Sequence, residues 1–191
     1  YIIKFRTMSE ALCEVQLDDA NYTGSPIELV GGATPFTILT ETSDLLSPIR
    51  SSNATLAVYG SDYLQDLYTS DPQGIKVTLK INNEVKWLGY LIPDTFSQDY
   101  SYQNFTYEME CVNALSVLKN KYFDLSGGFV SFLEIIKRAS DLAGFKDMYL
   151  TNAVRTAGGN FYDLKIATAN FYDELGRAMT YYEVLEEIAK Y

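Results

Sequence analysis

IKVTLKINNEVKWLGYLI, residues 75–92, carries the strongest pattern in the chain. Ile75, Val77, Leu79 and Ile81 alternate with Lys76, Thr78 and Lys80, the period of a half-buried strand. After Asn82-Asn83, the residues Val85, Trp87, Gly89 and Leu91 continue at odd positions. Two alternating runs around so short a polar break predict an antiparallel hairpin. A two-residue Asn-Asn turn of type I′ would pair Ile81 with Glu84 and put Val85 and Trp87 on the face of Thr78 and Lys80. A three-residue loop would pair Ile81 with Val85 and unite the apolar set. The turn residues favour the first arrangement and the hydrophobic pattern the second. The three-residue loop is expected, because the buried face usually sets register.

On the N-terminal side, Tyr1–Thr7 reads as a strand. Ala11–Asp18 alternates, with Cys13, Val15 and Leu17 on one face and Glu14, Gln16 and Asp18 on the other. Asp18–Pro26 and Gly31–Pro35 are rich in turn formers and predict turns, as does Asp71-Pro72-Gln73-Gly74. Phe36–Thr42 and Ala54–Tyr59 predict strands. Ser61–Tyr68 predicts a short helix, with Leu64, Leu67 and Tyr68 at helical spacing.

On the C-terminal side, Phe105, Tyr107, Met109 and Cys111 alternate with Thr106, Glu108 and Glu110. That strand runs into a helical stretch, Asn113–Tyr122, with Asn113 as N-cap and Leu115, Leu118 and Tyr122 on one face. Beyond Ser126-Gly127-Gly128 the character changes. Ser131 and Glu134 predict a capping box, Phe132, Ile135, Ile136, Ala139 and Leu142 a buried stripe, and Gly144 the C-terminal cap. Met148–Asn160 reads as a loop. Asn160-Phe161-Tyr162-Asp163 recurs as Asn170-Phe171-Tyr172-Asp173, which reads as chance or a shared cap pattern rather than a solenoid repeat. Thr180 and Glu183 predict a second capping box, with Tyr181, Val184, Leu185 and Ile188 on the buried face of a last helix.

These 191 residues are 47% hydrophobic and 21% charged, which suits a folded chain with a sizeable core and excludes intrinsic disorder. No run approaches the roughly 20 apolar residues of a membrane-spanning helix. Lys and Arg number 15 against 25 Asp and Glu, a net charge of −10, so tight binding to phosphate backbones is disfavoured. Histidine is absent, which removes the commonest general base and transition-metal ligand. Tyr1 is not an initiator Met and the last helix is cut short, so the chain reads as a fragment of a longer protein. No basic run leading into an apolar stretch marks a signal peptide, and a cleaved one would leave no trace.

Cys13 and Cys111 fall on apolar strand positions and read as reduced core residues rather than a disulfide. Glu108 and Glu110 share a strand face and are the carboxylate pair to weigh for acid–base chemistry, against a plain solvated face. Asp18-Asp19 with Asn21 resembles part of a calcium loop but lacks its glycine and terminal glutamate, so a surface turn is expected. The Gly31-Gly32 and Gly127-Gly128 pairs belong to no phosphate loop. Ser43 and Ser47 lack a partner base, and Tyr149–Arg155 offers too few cations for a nucleic-acid stripe. Among 16 Tyr, 10 Phe and one Trp, a group at Tyr100, Tyr102, Phe105 and Tyr107 could be a sugar platform, a protein interface or packing at strand ends. Trp87 reads as core. No catalytic, cofactor-binding or metal-binding residue is assigned.

The order of the pieces resembles a phage family. Ser47-Pro48-Ile49-Arg50-Ser51-Ser52-Asn53-Ala54-Thr55-Leu56 introduces a strand, and the hairpin Gly74–Leu91 closes on Trp87-Leu88-Gly89-Tyr90-Leu91. Ile92-Pro93-Asp94 and an aromatic loop follow. Phe105–Cys111 then leads into Val112-Asn113-Ala114-Leu115-Ser116-Val117-Leu118-Lys119. From Tyr1 to about Tyr122 this resembles the N-terminal part of tail hub, or tail-associated, proteins of phages and prophages from gut Bacteroidetes-type bacteria, which are similar to the baseplate hubs of contractile tails. Tyr182-Glu183-Val184-Leu185-Glu186-Glu187-Ile188 fits the helix of that family's next region. Asn113 is a departure, since such sequences often carry an acid there.

The resemblance implies an α+β chain: a mainly antiparallel β-barrel or sandwich of tail-tube type over residues 1–125, then a smaller helix-rich region over 126–191. It implies a non-enzymatic, cofactor-free structural part of a virion tail, assembled in the bacterial host cytoplasm. Three chains of two barrels each would make a pseudo-six-fold ring between the tail tube and a three-fold spike or fibre, with the second barrel beyond Tyr191. Implied partners are copies of the chain, as a trimer, and the tail tube, distal tail and spike or fibre proteins. Specific nucleic-acid binding and stable membrane insertion are not implied. An acidic wall would let DNA pass, and edge strands could pair between subunits. The competing readings are a carbohydrate-binding or adhesin module at a cell surface, motivated by Tyr100–Tyr107, and a carboxylate-based hydrolase.

Overall fold

A computed structural model of the chain describes residues 1–40, 49–61, 64–92, 104–145, 155–156 and 159–190. It divides into two compact units, Tyr1–Asp44 with Arg50–Asn113, and Leu45–Ile49 with Ala114–Tyr191.

The first unit is a closed seven-stranded β-barrel, in agreement with the mainly antiparallel barrel or sandwich expected. Its strands are β1 (Ile2–Arg6), β2 (Leu12–Asp19), β3 (Glu28–Thr40), β4 (Ser52–Gly60), β5 (Ile75–Ile81), β6 (Glu84–Leu91) and β7 (Phe105–Asn113). They run in the order β1-β2-β5-β6-β7-β4-β3. Six neighbouring pairs are antiparallel. The seam that closes the barrel, β1 with β3, is parallel and pairs only Ile2 with Glu28 and Ile3 with Leu29. Period-2 alternation places Cys13, Val15 and Leu17 of β2, Val77 and Leu79 of β5, and Tyr107, Met109 and Cys111 of β7 in one buried core. Thr106, Glu108 and Glu110 point outward and are exposed, as their spacing predicts.

The central hairpin corrects the expected loop. The turn holds two residues, Asn82 and Asn83, both at positive φ (49° and 71°), and Ile81 pairs with Glu84. Asn tolerates this left-handed geometry better than most residues, and the type I′ twist matches the strands. The buried face is recovered one step later. Lys80 pairs with Val85 but Leu79 pairs with Trp87, so Lys86 is an extra residue in a β-bulge. Val85 stays on the solvent side, and Trp87 turns inward, where it is only 6% exposed. Turn chemistry set the register at the tip, and the bulge reset it for the core. Gly89 lies beneath the Trp87 ring, where any side chain would collide with that ring and with the Val112 carbonyl.

A second bulge replaces the turn expected at Gly31–Pro35. Those residues lie inside β3. The ladder with β4 breaks between Gly31–Val58 and Phe36–Leu56, leaving the intervening β3 residues opposite Ala57. Proline removes a ladder donor and is at home at a bulge. Gly32 crosses close to the Ala57 and Thr106 side chains, which accounts for the burial of Ala57 on the outward face. The helix expected over Ser61–Tyr68 is a single 3-10 turn, Gln65–Leu67, among the described residues. Leu64 and Leu67 are buried there, and Tyr68 is exposed.

The second unit opens with a 3-10 helix, Ala114–Asn120. Asn113 is the last residue of β7 rather than its N-cap, and its side-chain amide donates to Ser52 Oγ at 3.4 Å. Three residues per turn bring Ala114 and Val117 into line, with Leu118 beside them, and leave Tyr122 exposed in place of the expected Leu115–Leu118–Tyr122 face. Next come β8 (Phe129–Ser131), α1 (Phe132–Ala143), β9 (Arg155–Thr156), β10 (Gly159–Asn160), β11 (Lys165–Ala167) and α2 (Tyr181–Ile188). β8 pairs with β11, and β9 with β10, which places a small ladder in the stretch read as loop.

Both capping boxes form. Ser131 Oγ accepts from the Glu134 N–H and Thr180 Oγ1 from the Glu183 N–H, and each glutamate reaches back to its cap. Gly144 closes α1 at φ 80°. Phe132, Ile135 and Ala139 are buried as predicted, with Ala143 added, while Ile136 and Leu142 are half-buried. On α2 Tyr181, Val184 and Ile188 are buried and Leu185 half-buried. The two Asn-Phe-Tyr-Asp copies differ in structure. Phe161–Asp163 is a 3-10 helix, whereas Phe171 ends one that begins at Thr168. No helix among the described residues is long and apolar enough to cross a membrane.

Candidate functional site

Among the described residues, those singled out for chemistry do not converge. Glu108 and Glu110 stand on the outward face of β7 opposite Ala57 and Thr55, which offer no second carboxylate. The Asp19 carboxylate accepts the Asn21 N–H at 2.8 Å and so forms an ordinary Asx turn at the end of β2. No group of three or more potential metal ligands occurs among the described residues. Cys13 and Cys111 are buried and free. Burial raises the pKa of both thiols, that of Cys111 to about 12 with a further push from Glu110, so they stay protonated and unreactive at neutral pH.

Of the four aromatics that could form a sugar platform, Tyr107 is a core residue, 3% exposed, and Phe105 is half-buried against it at 5.5 Å between ring centroids. Those two serve packing. Tyr100 and Tyr102 lie outside the described residues, as do Ser43, Ser47, Pro48, Pro93, Asp94 and Tyr149. Trp87 is core as expected. Its indole N–H donates to Ser52 Oγ at 2.9 Å, and its ring meets Phe36 edge-on at 5.4 Å.

What the first unit does present is an open strand edge. β1 and β3 part after Leu29, so the edge of β3 from Val30 onward has no strand beside it among the described residues. The ladder to β4 occupies its other edge as far as Thr40. Thr37, Ile38, Leu39 and Thr40 are all exposed, Ile38 at 42% and Leu39 at 60%. No residue from Leu29 to Thr40 is charged. Proteins usually blunt such edges with charge, proline or a bulge. Here the bulge and Pro35 blunt the stretch before Phe36, and among the described residues Phe36–Thr40 is left without a strand beside it. The sequence held the signal, since this is a strand-forming run without charge and without clear alternation, but only the barrel shows that no described strand pairs with it.

The second unit holds a polar cluster that sequence spacing did not reveal. Arg138 of α1 grips Asp124 with two guanidinium nitrogens, one at 3.2 Å. The hydroxyl of Tyr181, at the start of α2, donates to Asp124 Oδ1 at 2.6 Å. Hydrogen bonding to Arg138 holds the Asp124 carboxyl below the usual range; burial opposes this and Tyr181 assists. The Tyr181 hydroxyl is pushed up by burial and by its bond to the carboxylate. Beneath it, Phe123, Phe171 and Tyr181 form an aromatic core, with Phe123 ring centroids 4.8 Å and 5.5 Å from the other two. Asp124 thus joins α1 to the start of α2, as a structural clamp would.

No family model matches the chain, and no curated protein matches it. Among solved structures it is similar to the 43 kDa tail protein of prophage MuSo2 from Shewanella oneidensis, at 19% identity and a TM-score of 0.48, over 92% of this chain and 48% of that one. It is also similar to the tail protein from Neisseria meningitidis MC58, at 13% identity and a TM-score of 0.50, over 93% of this chain and 45% of that one. The chain thus spans just under half the length of each. At that identity, what this chain shares with the Neisseria tail protein is its fold.

Proposed function

We propose that this chain is a structural part of a phage or prophage tail. More specifically, it is part of a hub that forms a ring between the tail tube and the spike or fibre and lets DNA pass. The observation that carries this reading is the fold shared with the Neisseria tail protein over 93% of the chain. Three further features support it. Among the described residues, the candidate catalytic groups stand apart or serve turns and core. An uncharged strand edge is available for assembly. A net charge of −10 would make a lumen wall repel DNA phosphates rather than hold them.

On this reading the full-length protein is a trimer that meets tube, distal-tail and spike or fibre proteins, and it resides in the virion tail after assembly in the host cytoplasm. The two compact units are domains that fold independently, and the rest of the protein supplies a second barrel. The adhesin alternative loses its motive at Phe105 and Tyr107, which pack inward.

The test is immunogold labelling of particles induced from a host that carries the gene. Gold at the tail tip is expected. Particles without the protein, or label on the surface of uninfected cells, would refute the reading.

A further inference from the structure

We draw no further inference here: the strongest candidate, the outward face of β7, β4 and β3, where Glu108 and Glu110 stand exposed beside strands without lysine or arginine, is a sheet face that nothing in the structure shows the occupant of.

Discussion

The indole N–H of Trp87 on β6 donates to the hydroxyl of Ser52 on β4, 2.9 Å away, although β7 lies between those strands in the barrel order. The bond forms where the β6–β7 ladder gives out at Gly89–Asn113. Ser52 Oγ also accepts the Asn113 amide at 3.4 Å, so one hydroxyl ties together three strands.

Ser52→Ala should therefore cost about 1–2 kcal/mol, because it leaves a largely buried indole donor without its acceptor. Trp87→Phe, which removes donor and acceptor demand together, should lose packing but gain nothing from a second change at Ser52. Urea unfolding of both single variants and the double variant reads this. Additive losses would show that the bond contributes nothing.

Gly89→Ala should be far worse. A Cβ there would sit 2.1 Å from the Val112 carbonyl oxygen and 2.3 Å from the Trp87 ring. The carbonyl belongs to the paired strand and cannot swing away, so the barrel would have to open at β6–β7. A loss of about 3 kcal/mol or more is expected, read as a fall in the thermal midpoint or as insoluble protein. Gly128→Ala makes a useful contrast. It has open space around it, and only its positive φ of 80° opposes the change, so a loss of about 1 kcal/mol is expected.

Asp124 makes stability depend on acid. Its carboxyl is held low in the folded state by Arg138, then Tyr181. A depressed folded pKa stabilises above the unfolded value of about 3.9, and that contribution disappears as pH falls through the folded value. The Asp124 side chain is 46% exposed, so solvent screening limits the effect to about 1 kcal/mol. Asp124→Asn should be less stable than the unsubstituted chain at pH 7, and the gap should shrink below about pH 4. Urea midpoints across pH test it, and a gap constant from pH 7 to 2 would contradict it.

Thr180→Ala should cost about 1 kcal/mol by removing the cap of α2, and Thr180→Ser should cost little. The capping bonds are local, so the loss should appear in amide exchange along α2 before it appears in the barrel strands. Equal loosening of both would count against a local cap.

Much of this architecture was legible in the chain before folding. The faces of β2, β5 and β7 follow from strict alternation at Cys13–Leu17, Ile75–Ile81 and Phe105–Cys111. Both α-helices were marked by Ser131–Glu134 and Thr180–Glu183, because a cap needs only a residue and its neighbour three positions on. At the hairpin tip two local rules conflict, turn chemistry against the apolar pattern. A bulge at Lys86 satisfies both, and no period in the sequence announces one extra residue. Gly31–Pro35 misled for a related reason, since the residues that make a turn also make a bulge.

The amino-acid order alone thus determined which faces are apolar, where helices begin and that no histidine-based catalytic set can be built from these residues. Folding decided the parallel seam of Ile2–Ile3 with Glu28–Leu29, the bare edge at Phe36–Thr40 and the meeting of Asp124, Arg138 and Tyr181. The physical reason is range. Alternation and capping act between residues a few positions apart and are written in composition and spacing. Which edge finds a partner, and which acid finds its arginine, depends on how the whole chain closes.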